Sequence, residues 1–174
     1  MIHLYIGDGK GKTTSILGLA LRAAGWKKSV YIAQFLKSLD SSCGELNIVK
    51  EYKLPFKIER FEYQTHPMFL KDGDFDKEKT EESVRQALEK IEYDLNIQRF
   101  DVFILDELLN GLELGIVKQQ RIKELIRKAR EVELVLTGRE APKSIIAMAD
   151  YVSYIQKIKH PFDRKLIARK GIEY

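Results

Sequence analysis

Residues Gly7-Asp8-Gly9-Lys10-Gly11-Lys12-Thr13-Thr14 sit between an apolar run, Ile2–Ile6, and a segment of helical periodicity. Strand, glycine-rich turn and helix in that order build an anion cradle. Glycine lets the main chain curl without a side-chain clash. The turn aims backbone N–H groups and the positive end of the helix at a phosphate. Lys12 adds a point charge near the outer phosphates of a nucleoside triphosphate, and Thr13 offers a hydroxyl to a bound Mg²⁺. The general pattern G-x-x-x-x-G-K-[ST] would put its first glycine at position 6, which is Ile6; the first glycine here is Gly7, so the loop is one residue tighter. The alternative is a glycine-rich turn with no ligand.

The 174 residues suffice for one domain with a real core, and a single domain over 1–174 is expected. Apolar residues make up 44%, an ordinary globular share. No stretch approaches the roughly 18 apolar residues of a membrane span, and an opening strand leaves no room for a leader. Cys43 is the only cysteine, which rules out an intrachain disulfide and suits a reducing cytoplasm. The net charge of +4 fits an anionic substrate or simple solubility and does not demand nucleic acid.

Along the chain, Ile2–Ile6 reads as a strand. A helix over Lys12–Ala24 carries Leu17, Ala20, Leu21 and Ala24 on one face, with Gly25 as its stop. Val30–Phe35 reads as a buried strand, Leu36–Asn47 as a loop, and Phe56–Tyr63 as an alternating strand. Gln64–Phe75, with Pro67 and Gly73, is a long loop, of the kind that is either functional or mobile. Val84, Leu88, Ile91 and Leu95 mark a helix over Asp76–Leu95. Val102–Leu105 is a second buried strand, and Ile122, Leu125, Ile126 and Ala129 mark a further helix. Leu134–Leu136 is a strand, Pro142 opens a short helix through Ala149, and Tyr151–Ile155 is a strand. The basic tail from Lys157 reads as loop or edge. Alternating strands and helices predict an α/β fold, a mostly parallel sheet with helices on both faces.

Ligands of such sheets lie beyond the carboxyl ends of the strands. The glycine loop, Asp106-Glu107 and Thr137-Gly138-Arg139 all fall there. One carboxylate of Asp106-Glu107 can hold Mg²⁺ directly or through water; the plainer alternative is a helix N-cap with a first-turn glutamate. Thr137-Gly138-Arg139 either brings a guanidinium to phosphate or is an ordinary turn with a solvated arginine. Arg22 lies on the first helix opposite its apolar face. His3, His66 and His160 follow no metal-ligand spacing, and no nucleophile–base arrangement is visible.

In order along the chain stand the glycine loop, Gln34-Phe35-Leu36-Lys37, Leu105-Asp106-Glu107-Leu108, Leu136-Thr137-Gly138-Arg139 and Ala149-Asp150. Lys159-His160-Pro161-Phe162-Asp163 and Lys170-Gly171-Ile172-Glu173-Tyr174 close the series. This set resembles the ATP:corrinoid adenosyltransferases of the CobA/BtuR type over nearly the whole length, and the shortened loop looks like that family's own form. The resemblance implies a P-loop NTPase, RecA-like sheet and a homodimer. It implies transfer of the 5′-deoxyadenosyl group of ATP to the cobalt of a reduced corrinoid, with triphosphate released and a flavodoxin-like or other reductase supplying Co(I). It assigns Gly7 to Thr14 and Thr137 to Arg139 to ATP, with Asp8 and Arg22 toward ribose and base. Lys12, Thr13 and Glu107 become catalytic, and Thr13, Asp106 and Glu107 metal-binding. Family members shield cobalt with a Phe-x-Trp pair; Phe61-Glu62-Tyr63 has the spacing, with Tyr63 where Trp is expected, and Phe69 is a further corrinoid candidate. A small-molecule kinase and an ATP-gated nucleic-acid-binding protein are the rival readings.

Overall fold

The computed structural model describes every residue except Asp72, Gly73, Lys165 and Tyr174. Gly73 of the long loop and Tyr174 of the terminal motif therefore lie outside the described residues. Six strands form one sheet: β1 (Ile2–Ile6), β2 (Val30–Gln34), β3 (Phe56–Arg60), β4 (Val102–Asp106), β5 (Glu133–Gly138) and β6 (Tyr151–Tyr154). Their order is β3-β2-β4-β5-β1-β6, and every neighbouring pair is parallel. The helices are α1 (Lys12–Gly25), α2 (Gly44–Tyr52), α3 (Lys77–Asn96), α4 (Asn110–Glu113), α5 (Gln119–Lys128) and α6 (Lys143–Ile146). This is the parallel α/β sheet that the strand–helix alternation predicts, and it matches the P-loop, RecA-like fold that the resemblance implies. Among the described residues no helix is long and apolar enough to cross a membrane.

The central strands β2, β4 and β5 are buried almost throughout because both faces of the sheet are covered there. Tyr31, Ala33, Phe103, Leu105, Leu134 and Leu136 point into one core, beneath α3, α5 and α6. The alternate residues Val30, Ile32, Val102, Ile104 and Val135 point into the other, against Ile16 and Ala20 of α1. This period-two division turns a sequence-level apolar run into two cores. Edge strand β6 is exposed throughout.

Several elements differ from expectation. The apolar face of α1 is set by Ile16 and Ala20, and Leu21 is 59% exposed. The first turn of α1 must present Thr13 to β4, and that fixes the roll of the helix. The helix also runs through Gly25, with Lys27 adopting the left-handed conformation. Part of the predicted loop Leu36–Asn47 belongs to α2, which buries no residue. Strand β3 stops at Arg60, where its pairing with Gln34 ends, so Phe61-Glu62-Tyr63 lies beyond the sheet. Pro142 is the N-cap of α6, not its first residue, and that helix ends at Ile146. The described part of the 64–75 loop carries a 3₁₀ turn, Pro67–Phe69.

Candidate active site

The carboxyl ends of β1, β2, β4 and β5 meet at one edge of the sheet. Gly7 leaves β1 at φ +124°, and a Cβ there would stand 2.2 Å from the Ile155 carbonyl oxygen. A Cβ on Gly9 would stand 2.7 Å from the same oxygen, which accepts the Gly9 N–H at 2.8 Å. Both glycines are therefore required by the chain leaving β6. Gly11, at φ +118°, faces open space and serves as the N-cap of α1. It leaves the first-turn N–H groups of α1 outside the helical bonding pattern and available to an anion. Lys12 Nζ closes the loop internally, donating to the Gly7 carbonyl at 2.6 Å and the Gly9 carbonyl at 3.0 Å. Burial pulls its pKa below the ordinary lysine value, against the opposing charges of Glu107 and Asp106.

Asp106, the last residue of β4, is fully buried and is the hub of the site. It is not a helix N-cap, because α4 begins only at Asn110. Its carboxylate accepts from the Thr13 hydroxyl at 3.2 and 3.1 Å, from Lys37 Nζ at 2.7 Å and from the Thr137 hydroxyl at 2.8 Å. The Thr137 hydroxyl also accepts the Glu107 N–H at 2.7 Å. Glu107 holds φ +62°, a strained conformation for a side-chain-bearing residue. That bend turns the chain out of β4. Burial raises the Glu107 pKa, Asp106 adds to the effect, and Lys37, Lys12 and Arg139 oppose it.

The third cluster divides. Thr137 is buried against the acidic pair. Gly138 allows β5 to pass the start of α4, since a Cβ there would lie 2.5 Å from Leu109 Cβ. Arg139 is exposed; its N–H donates to Asn110 Oδ1 at 2.8 Å, and its charge is felt at Lys12, Glu107 and His66. Its guanidinium thus belongs to the site's electrostatic field.

Other expected residues are placed differently. Asp8 is exposed and accepts the Lys157 N–H at 2.9 Å, a bond that holds its pKa below the ordinary carboxylate value. Lys10 Nζ donates to the Ile172 carbonyl at 3.0 Å. Both tie the phosphate loop to the C-terminal tail. Thr14 is exposed on the first turn of α1. Arg22 is exposed too, about 15 Å along the helix from Lys12, outside the cluster around Asp106.

Lys37 is the site residue that sequence reasoning missed. The rule that found Asp106, polarity just beyond the carboxyl end of a buried strand, applies equally to Gln34 and Lys37 after β2. Gln34 is buried, donating to Glu45 at 3.1 Å and accepting from Arg60 at 2.8 Å. Arg60 in turn donates to the Ser38 and Ser41 carbonyls at 2.9 and 2.7 Å, fixing the segment after β2.

Beside this edge, a groove of about 660 Å³ runs between the end of β3 and α3, with Phe61 and Tyr63 on one wall and Ser83 and Gln86 on the other. Phe61 packs on Phe35 with ring centroids 5.5 Å apart. Tyr63, at φ +58°, is 60% exposed with Lys79 Nζ 5.6 Å from its ring centre. Phe69 is 75% exposed, sits beside His66 and does not line the groove. Gln64 links the groove to the polar edge: its Nε2 donates to Ser83 Oγ at 3.1 Å, and its Oε1 accepts the Leu36 N–H at 3.4 Å.

Among the described residues no group of three or more His, Cys, Asp or Glu could hold a metal by itself. Thr13, Asp106 and Glu107 offer a hydroxyl and two carboxylates, a donor set that suits Mg²⁺ completed by phosphate oxygens and water.

A parallel sheet with a glycine loop on β1, a lysine and threonine opening α1, and a buried acid ending β4 defines a P-loop nucleotide-binding protein. The comparisons narrow this class. The family described as ATP:corrinoid adenosyltransferase BtuR/CobO/CobP matches residues 1–174, and the chain belongs to that family. It is 28% identical to the corrinoid adenosyltransferase of Escherichia coli strain K12, over all of this chain and 85% of that one. The corrinoid adenosyltransferase CobA of Salmonella typhimurium is 28% identical with the same coverage. That of Pseudomonas aeruginosa is 28% identical over all of this chain and 83% of its own length. The family makes the protein a transferase acting on ATP and a corrinoid.

Proposed function

We propose that the protein transfers the 5′-deoxyadenosyl group of ATP to the Co(I) of a reduced corrinoid and releases triphosphate. The observation that carries this reading is the Thr13–Asp106 junction, which joins the phosphate loop to a strand end on the same sheet edge as the Phe61–Tyr63 groove, two strands away. Co(I) attacks C5′ with its own electron pair. The C5′–O bond breaks, and its electrons leave on the triphosphate oxygen. No protein base is required, which agrees with a site built from cations, carboxylates and hydroxyls.

The protein's work is orientation and charge support. The α1 first-turn N–H groups and Lys12 receive the phosphates. Arg139 adds positive field from the β5 side. Thr13, Asp106 and Glu107 would hold Mg²⁺, which when bound supplies countercharge to the leaving triphosphate. Thr137 fixes the Asp106 carboxylate in place. Asp8 and Arg22 serve the ribose and base. Phe61 and Tyr63 offer an apolar wall to the corrinoid, with Phe69 as a further contact from the adjoining turn. Excluding an axial ligand from Co(II) would ease its reduction to Co(I). We further propose a cytoplasmic homodimer served by a flavodoxin-like or other reductase, with no nucleic-acid partner.

The test is anaerobic mixing of protein, ATP, Mg²⁺ and chemically reduced cobalamin. A cobalt–carbon chromophore in the visible spectrum is expected. An unchanged Co(I) spectrum, with cobinamide failing as well, would overturn the proposal.

A further inference from the structure

We propose that Lys37 is a tethered cation that holds the divalent-metal position between Thr13 and Asp106, so that the metal binds only together with the nucleotide. Lys37 Nζ stands 2.7 Å from Asp106 Oδ2 and 3.4 Å from Thr13 Oγ1, the oxygens best suited to a metal. The other Asp106 oxygen is held by Thr137 at 2.8 Å. The Lys37 side chain is 19% exposed and the Asp106 side chain 0%, so this is an enclosed ion pair. A buried carboxylate needs a countercharge, and the ammonium supplies it.

The pair is set by the fold. Leu36, at φ +54°, turns the chain after β2 and aims the next residue back at the sheet edge. Its bonds to Gln64 and His66 hold that turn from both sides. The lysine stem is flexible, so the charge can move while its anchor stays.

Two cations share this carboxylate only at an electrostatic cost. Mg²⁺ takes its oxygens at about 2.1 Å. On Asp106 Oδ2 it would stand within about 5 Å of the ammonium, in a partly desolvated site where like charges repel strongly. A metal arriving alone must displace Lys37 toward Glu45, already engaged by Gln34, or toward Glu107, itself a proposed metal ligand. A metal arriving on ATP brings phosphate oxygens that accept the ammonium. Lys37 then passes from Asp106 to the triphosphate, and metal and nucleotide become coupled ligands.

This inference rests on the nucleotide-binding part of the proposed function and not on the acceptor, so its test contains no corrinoid. Mn²⁺ replaces Mg²⁺ as an EPR-visible probe and is titrated into the nucleotide-free protein. Lys37→Met should bind Mn²⁺ about tenfold or more tightly than wild type, and adding Asp106→Asn should remove the gain. Equal affinities, or a gain that survives Asp106→Asn, would overturn the proposal. Should Lys37→Met misfold, the ¹⁵Nζ resonance of Lys37 in the wild-type chain decides. It should stay in place with Mg²⁺ alone and shift with Mg²⁺ plus ATP; a shift with Mg²⁺ alone, or none with the pair, contradicts the coupling. A protein that binds Mn²⁺·ATP in this coupled way yet fails to alkylate cobalt would sink the acceptor and leave this inference standing.

Discussion

The Thr137 hydroxyl donates to Asp106 Oδ1 at 2.8 Å and so fixes the buried carboxylate from the neighbouring strand. The Thr137 hydroxyl oxygen also accepts the Glu107 N–H. Removing it leaves one buried acceptor under-served and one N–H without its partner. Thr137→Val, close in shape, should therefore lower stability by about 1–3 kcal/mol. Thr137→Ser should recover most of it. Urea unfolding of the three proteins checks this.

Lys12→Ala should reduce turnover by about a hundredfold or more while the far-ultraviolet spectrum is retained. The ammonium bridges the Gly7 and Gly9 carbonyls and is placed to meet the phosphates. Near-normal turnover of a folded variant would remove Lys12 from its role.

Gly7 and Gly11 make a matched pair of tests. Both hold positive φ, but a Cβ on Gly7 would overlap the Ile155 backbone, whereas one on Gly11 meets open space. Gly11→Ala should cost about 1–2 kcal/mol from the conformation alone. Gly7→Ala should cost clearly more or prevent folding, because backbone cannot step aside. Thermal melts of both variants settle the ranking.

Much of this arrangement was legible in the sequence for identifiable reasons. Ile2–Ile6, the glycine loop and Val102–Leu105 announce themselves because each strand is mostly apolar and its exit is abruptly polar. The helix α2 was not legible, since it buries no side chain and so prints no apolar stripe. Leu21 misled because helical spacing fixes a face only to within a residue, and the roll of α1 is set by the tertiary bond from Thr13 to Asp106. Phe61 and Tyr63 alternate like strand residues, yet β2 offers no partner beyond Gln34, so β3 ends and Tyr63 turns outward. Lys37 was hidden because a lysine after a strand looks solvated; only the approach of β4 to β2 shows its carboxylate.

Glu107 gives a pH-dependent expectation. Burial raises its folded-state pKa above the ordinary value of 4.5. The folded state therefore binds more protons than the unfolded chain between those two values, and Glu107's contribution to stability falls as pH rises through that window. Glu107→Gln, which never ionises, should be more stable than wild type at neutral pH, with the difference shrinking as pH falls through the raised folded-state pKa and gone once pH is below about 4.5. Its turnover should nonetheless fall. Melting temperatures measured across pH with and without the substitution check the sign; a variant less stable at neutral pH would contradict it.

Phe61 and Tyr63 should matter more for preparing cobalt than for alkylating it. Replacing both with Ala should harm turnover that starts from Co(II) with a reductase several-fold more than turnover that starts from preformed Co(I). Equal losses in the two assays would place the corrinoid elsewhere.

The most direct measurement counts phosphorus against cobalt. In a single turnover with Mg²⁺·ATP and Co(I) cobalamin, ³¹P spectra should show one triphosphate for each cobalt–carbon bond formed. ADP and orthophosphate in its place, with no alkylated cobalt, would contradict adenosyl transfer and point to phosphoryl transfer on the same loop.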